Sequence, residues 1–260
     1  MPQIQRRILS TILFLAGVGS AAFAQVTTTS AGSYGPIVAP DSIASAWGSN
    51  FTTTTTAANS LPLPNTLGNL QVLITDSAGA KFTASLFMAS PSQVNFLVPA
   101  NAALGKGSIT VASGGSAFNG SILISNIAPA IFTANNDGKG VPAAQVLRVS
   151  AAGTVTLDNT FKGATAGQYG PNAINLQPSG DKLYLMLYGT GIRRHSLNPV
   201  KATVGGISVP VLYAGVQSQF PGLDQVNLGP LPAALQGKGD VDVVIIVDGA
   251  PTNTVRVNFQ

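Results

Sequence analysis

One spaced pattern occurs twice in this chain, and it constrains the fold more than any other feature. Gln93-Val94-Asn95 is followed after nine residues by Gly105-Lys106-Gly107, and Gln225-Val226-Asn227 is followed after nine residues by Gly237-Lys238-Gly239. Each spacer carries a Pro-Ala pair and a leucine, Pro99-Ala100 with Leu104 and Pro232-Ala233 with Leu235, and each Gly-Lys-Gly leads into a β-branched run. Agreement in residue type at equal spacing is the mark of a duplicated unit. The physical reading is structural: the valine faces a core, the amides face outward or bond nearby backbone, and the glycines permit positive φ before the next strand. Paired ligand loops are the functional alternative, and duplicated turn chemistry accounts for the pattern without them.

The surrounding sequence has a strand grammar. Short runs rich in Val, Ile, Leu, Thr and Phe are separated by Gly, Pro, Asn and Ser. The first half predicts strands at 42–47, 70–75, 81–90, 93–98, 108–112 and 121–127, with a hairpin around Asp76-Ser77-Ala78-Gly79. The second half predicts strands at 182–188, 200–204, 208–214, 225–228, 241–247 and 254–259, with a tight turn at Gly205-Gly206. Charged residues make up 8% of the chain and all nine acids are Asp, against about 25% charged residues in ordinary domains. Without Glu, and with few Lys, good helix formers are scarce. The expected fold is all-β: two tandem immunoglobulin-like β-sandwich domains with an irregular β-containing bridge. The expected divisions are a signal peptide at 1–24, a leader at 25–39, a first sandwich at 40–130, a bridge at 131–180 and a second sandwich at 181–260.

The N-terminus predicts export from the cytoplasm. Arg6 and Arg7 precede the apolar run Ile8 to Val18, and Ala22-Phe23-Ala24 offers small residues for cleavage between Ala24 and Gln25. The run is short for a membrane span, which needs about 20 apolar residues. The expected destination is therefore the extracellular space, the cell surface or the periplasm, with no stable membrane span after cleavage. No cysteine occurs in the sequence, so stability is expected from apolar burial without disulfides. Removing Arg6 and Arg7 leaves 11 Lys and Arg against nine Asp, scattered singly apart from Arg193-Arg194. Nucleic-acid binding, which wants clustered cations on one face, is not expected.

Several motifs resemble a known module. Gly48-Ser49-Asn50-Phe51, the run 90–99 (SPSQVNFLVP) and the run 127–132 (IAPAIF) resemble the first half of the uncharacterised C-terminal domain family named after Solibacter, found in exported proteins of Acidobacteria. The second half is similar too, in the runs 187–193 (LYGTGIR), 211–215 (VLYAG) and 222–227 (GLDQVN). Each half is also similar to the IPT/TIG branch of immunoglobulin-like folds, in which Gly-x-x-Phe follows the first strand. The resemblance implies tandem immunoglobulin-like halves and no assigned activity.

Catalytic and metal-binding residue sets are sparse. His195 is the sole histidine, stands beside Arg193 and Arg194, and has no Gly-x-Ser-x-Gly elbow to serve. Asp76, Asp137, Asp181 and Asp248 fall in turns, and Asp240 and Asp242 are the one close acidic pair. That pair reads either as a calcium site or as charges that protect an edge strand, and the edge strand is preferred. Gly189-Thr190-Gly191 and the Gly-Lys-Gly sequences do not match a phosphate loop. Trp47 is expected in the core, Tyr34 and Tyr169 in loops, and Thr52 to Thr56 in a solvated loop. No catalytic, cofactor-binding or metal site and no cofactor are expected. The expected function is a non-catalytic extracellular or envelope-associated structural or interaction module, with a protein or glycan at the cell surface as partner. A carbohydrate-binding sandwich is the alternative.

Overall fold

A computed structural model describes residues 25–178 and 180–260. The signal peptide expected at 1–24 lies outside the described residues. The described chain is all-β, with one short 3₁₀ turn at Ala233–Leu235 and two separate apolar cores, one drawn from residues 26–124 and one from 131–259.

The first sandwich is a continuous strand path folded over its core. One layer holds, in spatial order, Thr56–Ala57, Ser85–Ala89, Gln93–Leu97, Ile43–Trp47 and Gln25–Ser30; the path continues through Ser116–Ile124, Gly105–Ser113, Leu70–Thr75 and Lys81–Thr83. Gln25–Ser30 joins the layers, antiparallel to Ile43–Trp47 and parallel to Ser116–Ile124. The segment expected as a loose leader is thus an interior strand. Its alternation is legible: Val26, Thr28 and Ser30 point inward, and Gly120 lets Val26 approach, since a Cβ there would lie 2.0 Å from the Val26 carbonyl oxygen. At the opposite edge the run 81–89 passes between layers at Ala84, whose N–H donates to the Val72 carbonyl at 2.9 Å. Gln25–Ser30 thus closes one side of the sandwich, while on the other side the path ends in the short strands Thr56–Ala57 and Lys81–Thr83, and short edge strands offer little backbone to another chain.

The second sandwich repeats this plan. Ile207–Ser208 pairs with Lys201–Val204, Val209 donates its N–H to the Ala202 carbonyl at 3.0 Å, and Val211–Val216 moves to the other layer beside Asp224–Leu228. A β-bulge follows each crossing, between Leu86 and Met88 in the first half and between Val211 and Tyr213 in the second. The Gly114-Gly115 and Gly205-Gly206 turns take positive φ at both residues, the geometry of tight hairpins. Of the repeat glycines, Gly105, Gly237 and Gly239 have positive φ. Gly107 does not, and serves close approach: a Cβ there would lie 2.4 Å from the Thr75 carbonyl oxygen.

Two expectations are corrected here. The segment 131–180 is not a bridge. Its hairpin Ala144–Val149/Val155–Asn159 extends the layer of Lys182–Thr190, and Ile131, Val146, Ile174 and Leu176 belong to the second core. Gly239–Val247, which carries Asp240 and Asp242, is not an edge strand; it is flanked by Lys201–Val204 and Val255–Phe259. The outer edge of Val255–Phe259 is itself covered, by the Ile174 bridge and by Arg256 N–H donating to Gly140.

The sandwiches meet through a buried polar junction. The fully buried Thr190 hydroxyl accepts the Ile43 N–H and donates to the Gly222 carbonyl, both at 2.8 Å. Arg194 pairs with Asp41 at 2.8 Å and donates to the Ala100 carbonyl. Behind this junction Arg193 and the fully buried Asp224 form an ion pair at 2.6 Å. Burial pushes the Asp224 carboxyl up, while the Ile192 N–H and the Arg193 guanidinium pull it down.

Two stability outcomes follow from these contacts. Thr28 Oγ1 is buried with no hydrogen-bond partner among the described residues, and an unmet buried hydroxyl costs about 1–3 kcal/mol; Thr28→Val should raise the denaturant midpoint at unchanged m-value. Arg193→Ala strands the Asp224 carboxylate and should cost about 3–5 kcal/mol. A carboxyl with raised native pKa destabilises the fold above that pKa and is relieved as pH falls through it. Denaturant titrations should therefore show the Arg193→Ala deficit in full at neutral pH, narrowing toward the ordinary carboxylate value of 3.8.

Candidate functional site

Strand parity selects the side chains of the site. In Ile43–Trp47, Ala44 and Ala46 enter the core, so Ile43 and Trp47 face the other way; Ser45 lies covered between them on that outer face. In Gln93–Leu97, Val94 and Phe96 enter the core, so Gln93 and Asn95 face outward. The two strands run antiparallel with Trp47 opposite Gln93 and Ser45 opposite Asn95. Trp47 is half-buried and outward-facing, which corrects its expected place in the core.

The outer face is made concave by two loops. Tyr34 folds back over the strands with its ring centroid 6.0 Å from that of Trp47 and a tilt of 42°. From the second sandwich, Phe132 and Asn136 form the opposing wall of a groove of about 540 Å³. The Tyr34 hydroxyl donates to the Asn136 carbonyl, and Gly138 sits against the ring, where a Cβ would lie 2.9 Å away. Tyr34 has φ +60° and Asn136 φ +53°. For a bulky residue the left-handed region is a genuine outlier, and such strain concentrates where a side chain must be aimed. Burial raises the Tyr34 phenol, helped by the nearby Asp137 charge, so it remains a neutral donor.

The polar floor of the groove is pre-oriented. Asn95 Oδ1 accepts from Ser45 Oγ and from Gln93 Nε2, each at 2.8 Å. The Trp47 indole N–H donates to Thr29 Oγ1 at 3.0 Å. These bonds occupy the inner atoms; among the described residues no protein atom pairs with Asn95 Nδ2 or Gln93 Oε1. One donor group and one acceptor thus face the groove between two aromatic rings. No ionisable side chain apart from the Tyr34 phenol lines it.

The second sandwich has the equivalent positions. Tyr188 stands opposite Gln225, and Met186 and Tyr213 stand opposite Asn227, as Trp47, Ser45 and Met88 stand around the first pair. The same amide bond recurs, Gln225 Nε2 to Asn227 Oδ1 at 2.9 Å. There the Tyr188 hydroxyl is engaged by Gln145 at 2.9 Å.

Other residues weighed from sequence lie elsewhere and are not brought together. The His195 ring nitrogens face the Ser196 and Ala214 carbonyl oxygens at 2.6 and 3.1 Å. Ser196 Oγ donates to Asp248 Oδ1 at 2.6 Å, so the neighbouring hydroxyl is paired with a carboxylate and not with the imidazole. These bonds, chiefly from Ser196, hold Asp248 below the ordinary carboxylate range. Asp240 accepts from Asn258 and Asp242 pairs with Arg256 at 2.8 Å; among the described residues no cluster of three or more metal-ligating side chains forms. Asp76 caps the 76–80 turn, accepting N–H groups from Ala78, Ala80 and Ala103, and those bonds, Ala103 first, hold it low. Tyr169 packs edge-on against Phe161 with centroids 5.1 Å apart.

No protein-family model and no curated protein matches the chain. Among solved structures it is similar to SGBP-B of the Bacteroides ovatus mixed-linkage glucan utilization locus, in complex with a mixed-linkage heptasaccharide. That likeness has 13% identity and TM-score 0.33, over 86% of this chain and 44% of that one. SGBP-B from a complex xyloglucan utilization locus in Bacteroides uniformis aligns at 14% identity and TM-score 0.24, over 91% of this chain and 48% of that one. The plexin A4 extracellular region, domains 1 to 8, aligns at 10% identity and TM-score 0.26, over all of this chain and 20% of that one. The chain therefore spans less than half the length of each. Likeness at this level says nothing of what this chain binds. No helix among the described residues is long and apolar enough to cross a membrane.

Trp47 is the sole tryptophan, so its emission reports this groove. Tyr34→Ala removes the ring that covers it, and the emission maximum should move to longer wavelength with increased quenching by acrylamide. An unchanged spectrum would show that Tyr34 does not shield Trp47.

Proposed function

We propose that this protein is an exported, non-catalytic glycan-binding module whose site is the Trp47–Tyr34 groove. The observation that carries the reading is the pairing of two half-buried aromatic rings with the unpaired polar atoms of Asn95 and Gln93 in one concave surface. A pyranose ring presents an apolar C–H face and an equatorial rim of hydroxyls. Aromatic side chains match the first, and amides, which both donate and accept, match the second. Concave, largely apolar sites with a few placed polar groups are the usual form of a small-ligand site.

The groove also accounts for the general expectation of an interaction module. Recognition in the groove falls to the sheet face, where side chains and not backbone select the ligand. The same groove places no nucleophile and base within hydrogen-bond reach of each other, and the proposal is of binding without turnover.

The test is titration of the intact protein with a panel of soluble polysaccharides, read by Trp47 fluorescence and by retardation in affinity gels. At least one neutral glycan should bind saturably. Trp47→Ala should weaken that binding at least tenfold, about 1.4 kcal/mol, and Asn95→Ala by several-fold, as expected for loss of about 0.5–1.5 kcal/mol of hydrogen bonding. Absence of binding across the panel, or binding indifferent to Trp47→Ala, would sink the reading.

A further inference from the structure

A second groove adjoins the first. It has a volume of about 540 Å³ and is formed by Ala58, Leu61, Leu63, Phe220 and Pro221, and Phe87 is a wall of both grooves. Phe87 reaches that position because the bulge between Leu86 and Met88 opposes an extra residue to the partner strand, and a bulge re-aims side chains at its site. The far wall comes from the other sandwich. Phe220 and Pro221 lead into Gly222, which packs so closely on Ile43 and Leu97 that a Cβ would lie 2.6 and 2.9 Å from them. The Thr190 hydroxyl bond to the Gly222 carbonyl holds the same turn.

Two exposed apolar side chains in this groove have no structural use. Phe220 is 58% exposed and Leu61 59% exposed, and neither belongs to a core cluster. Between them Asn59 and Ser60 present polar side chains that, among the described residues, bond no protein atom. Apolar faces interleaved with amide and hydroxyl groups thus continue beyond the first groove. None of the residues lining the second groove is ionisable, and the first groove offers only the Tyr34 phenol. A carboxylated, sulfated or phosphorylated ligand would therefore meet no cation to offset the loss of its hydration.

We infer that the ligand is an uncharged polysaccharide chain, bound lengthwise from the Trp47–Tyr34 groove across Phe87 to Phe220 and Leu61. This rests on the glycan reading and deepens it. The second groove acts as an extension subsite: it engages only chains long enough to pass Phe87, and it exists because the junction docks the Phe220 turn against the first sandwich. Selection between glycans then follows chain length and neutrality, with both sandwiches contributing to one ligand.

The test uses the intact protein and size-defined oligosaccharides, disaccharide to octasaccharide, cut from neutral β-glucan, xylan and mannan, with oligogalacturonates of the same lengths as the acidic probe. Binding is read by isothermal calorimetry for wild type, Phe220→Ala, Leu61→Ser and Trp47→Ala. Affinity for the retained neutral glycan should rise with length. Phe220→Ala and Leu61→Ser should each lower octasaccharide affinity several-fold to tenfold and leave the shortest bound oligosaccharide unchanged, whereas Trp47→Ala should weaken every length. If the Phe220 and Leu61 variants match wild type at every length while Trp47→Ala still weakens binding, the extension subsite is overturned and the glycan reading stands. If Trp47→Ala changes nothing, or no probe binds, the glycan reading itself falls and the extension with it. Tight binding of oligogalacturonate would overturn the assignment to neutral chains. Dimerisation in sedimentation velocity that Phe220→Ala abolishes would give the patch to a second copy of this chain instead.

Discussion

The Thr190 hydroxyl holds together two sandwiches that no sheet ladder connects. It takes the Ile43 N–H at the start of a first-sandwich strand and gives its own proton to the carbonyl of Gly222. A buried hydroxyl has few ways to satisfy both roles, so it ties the two sandwiches and the 217–223 turn together, beside the Arg194–Asp41 pair and the Tyr34–Asn136 bond. Gly189 and Gly191 flank it because a Cβ at either would lie 2.2 Å from a backbone carbonyl oxygen, of Ala130 and Ala128 respectively. The Gly-Thr-Gly sequence is therefore a close-packing device, with its hydroxyl turned toward the neighbouring domain. Through it the walls contributed by Phe132, Asn136 and Phe220 stand opposite the first sandwich.

The duplication explains both the shared skeleton and the difference between the halves. Layer crossing at Ala84 and at Val209, a bulge just after it, and a Gln-to-Asn side-chain bond on the next strand occur in each. The amide pair lies on the outer face because the intervening valine is committed to the core. Divergence lies in what surrounds it. The first copy has Trp47 beneath a strained Tyr34 and a wall lent by the second sandwich, while the second copy presents Tyr188 already bonded to Gln145. One scaffold thus carries its amide pair beneath a roof of loops in one copy and, in the other, beside a tyrosine bonded within its own sandwich.

Charge plays little part at the grooves and a large one behind them. The ion pairs of Arg193 with Asp224 and Arg194 with Asp41 sit at the domain junction, where they fix geometry. The desolvation that raises Asp224 is only partly offset by two backbone N–H groups and a guanidinium, an arrangement that is costly to leave half-complete. The surface over the grooves is left to aromatic, amide and hydroxyl groups, which recognise shape and hydrogen-bonding pattern at short range.

Much of this was written in local pattern. The Gln-Val-Asn to Gly-Lys-Gly spacing disclosed the duplication, and alternation with turn residues located the main strands of 42–127 and 182–259, because side-chain period and glycine conformation are properties of a few consecutive residues. Trp47 was misplaced because a tryptophan in an apolar run reads as core, although parity with Ala44 and Ala46 already pointed it outward. Gln25–Ser30 reads as loose because its polar run becomes a strand only between Ile43–Trp47 and Ser116–Ile124; the segment 131–180 reads as a bridge because its hairpin gains burial only by joining Lys182–Thr190, and the Ile131 N–H is met by the distant Asn253. Which edges close, and which loops roof the Gln93–Asn95 face, are decided by contacts between distant segments. Sequence by itself therefore determined the repeated sandwich and its inward and outward faces; only tertiary packing, through the Thr190 junction, decided that one outward face becomes a groove.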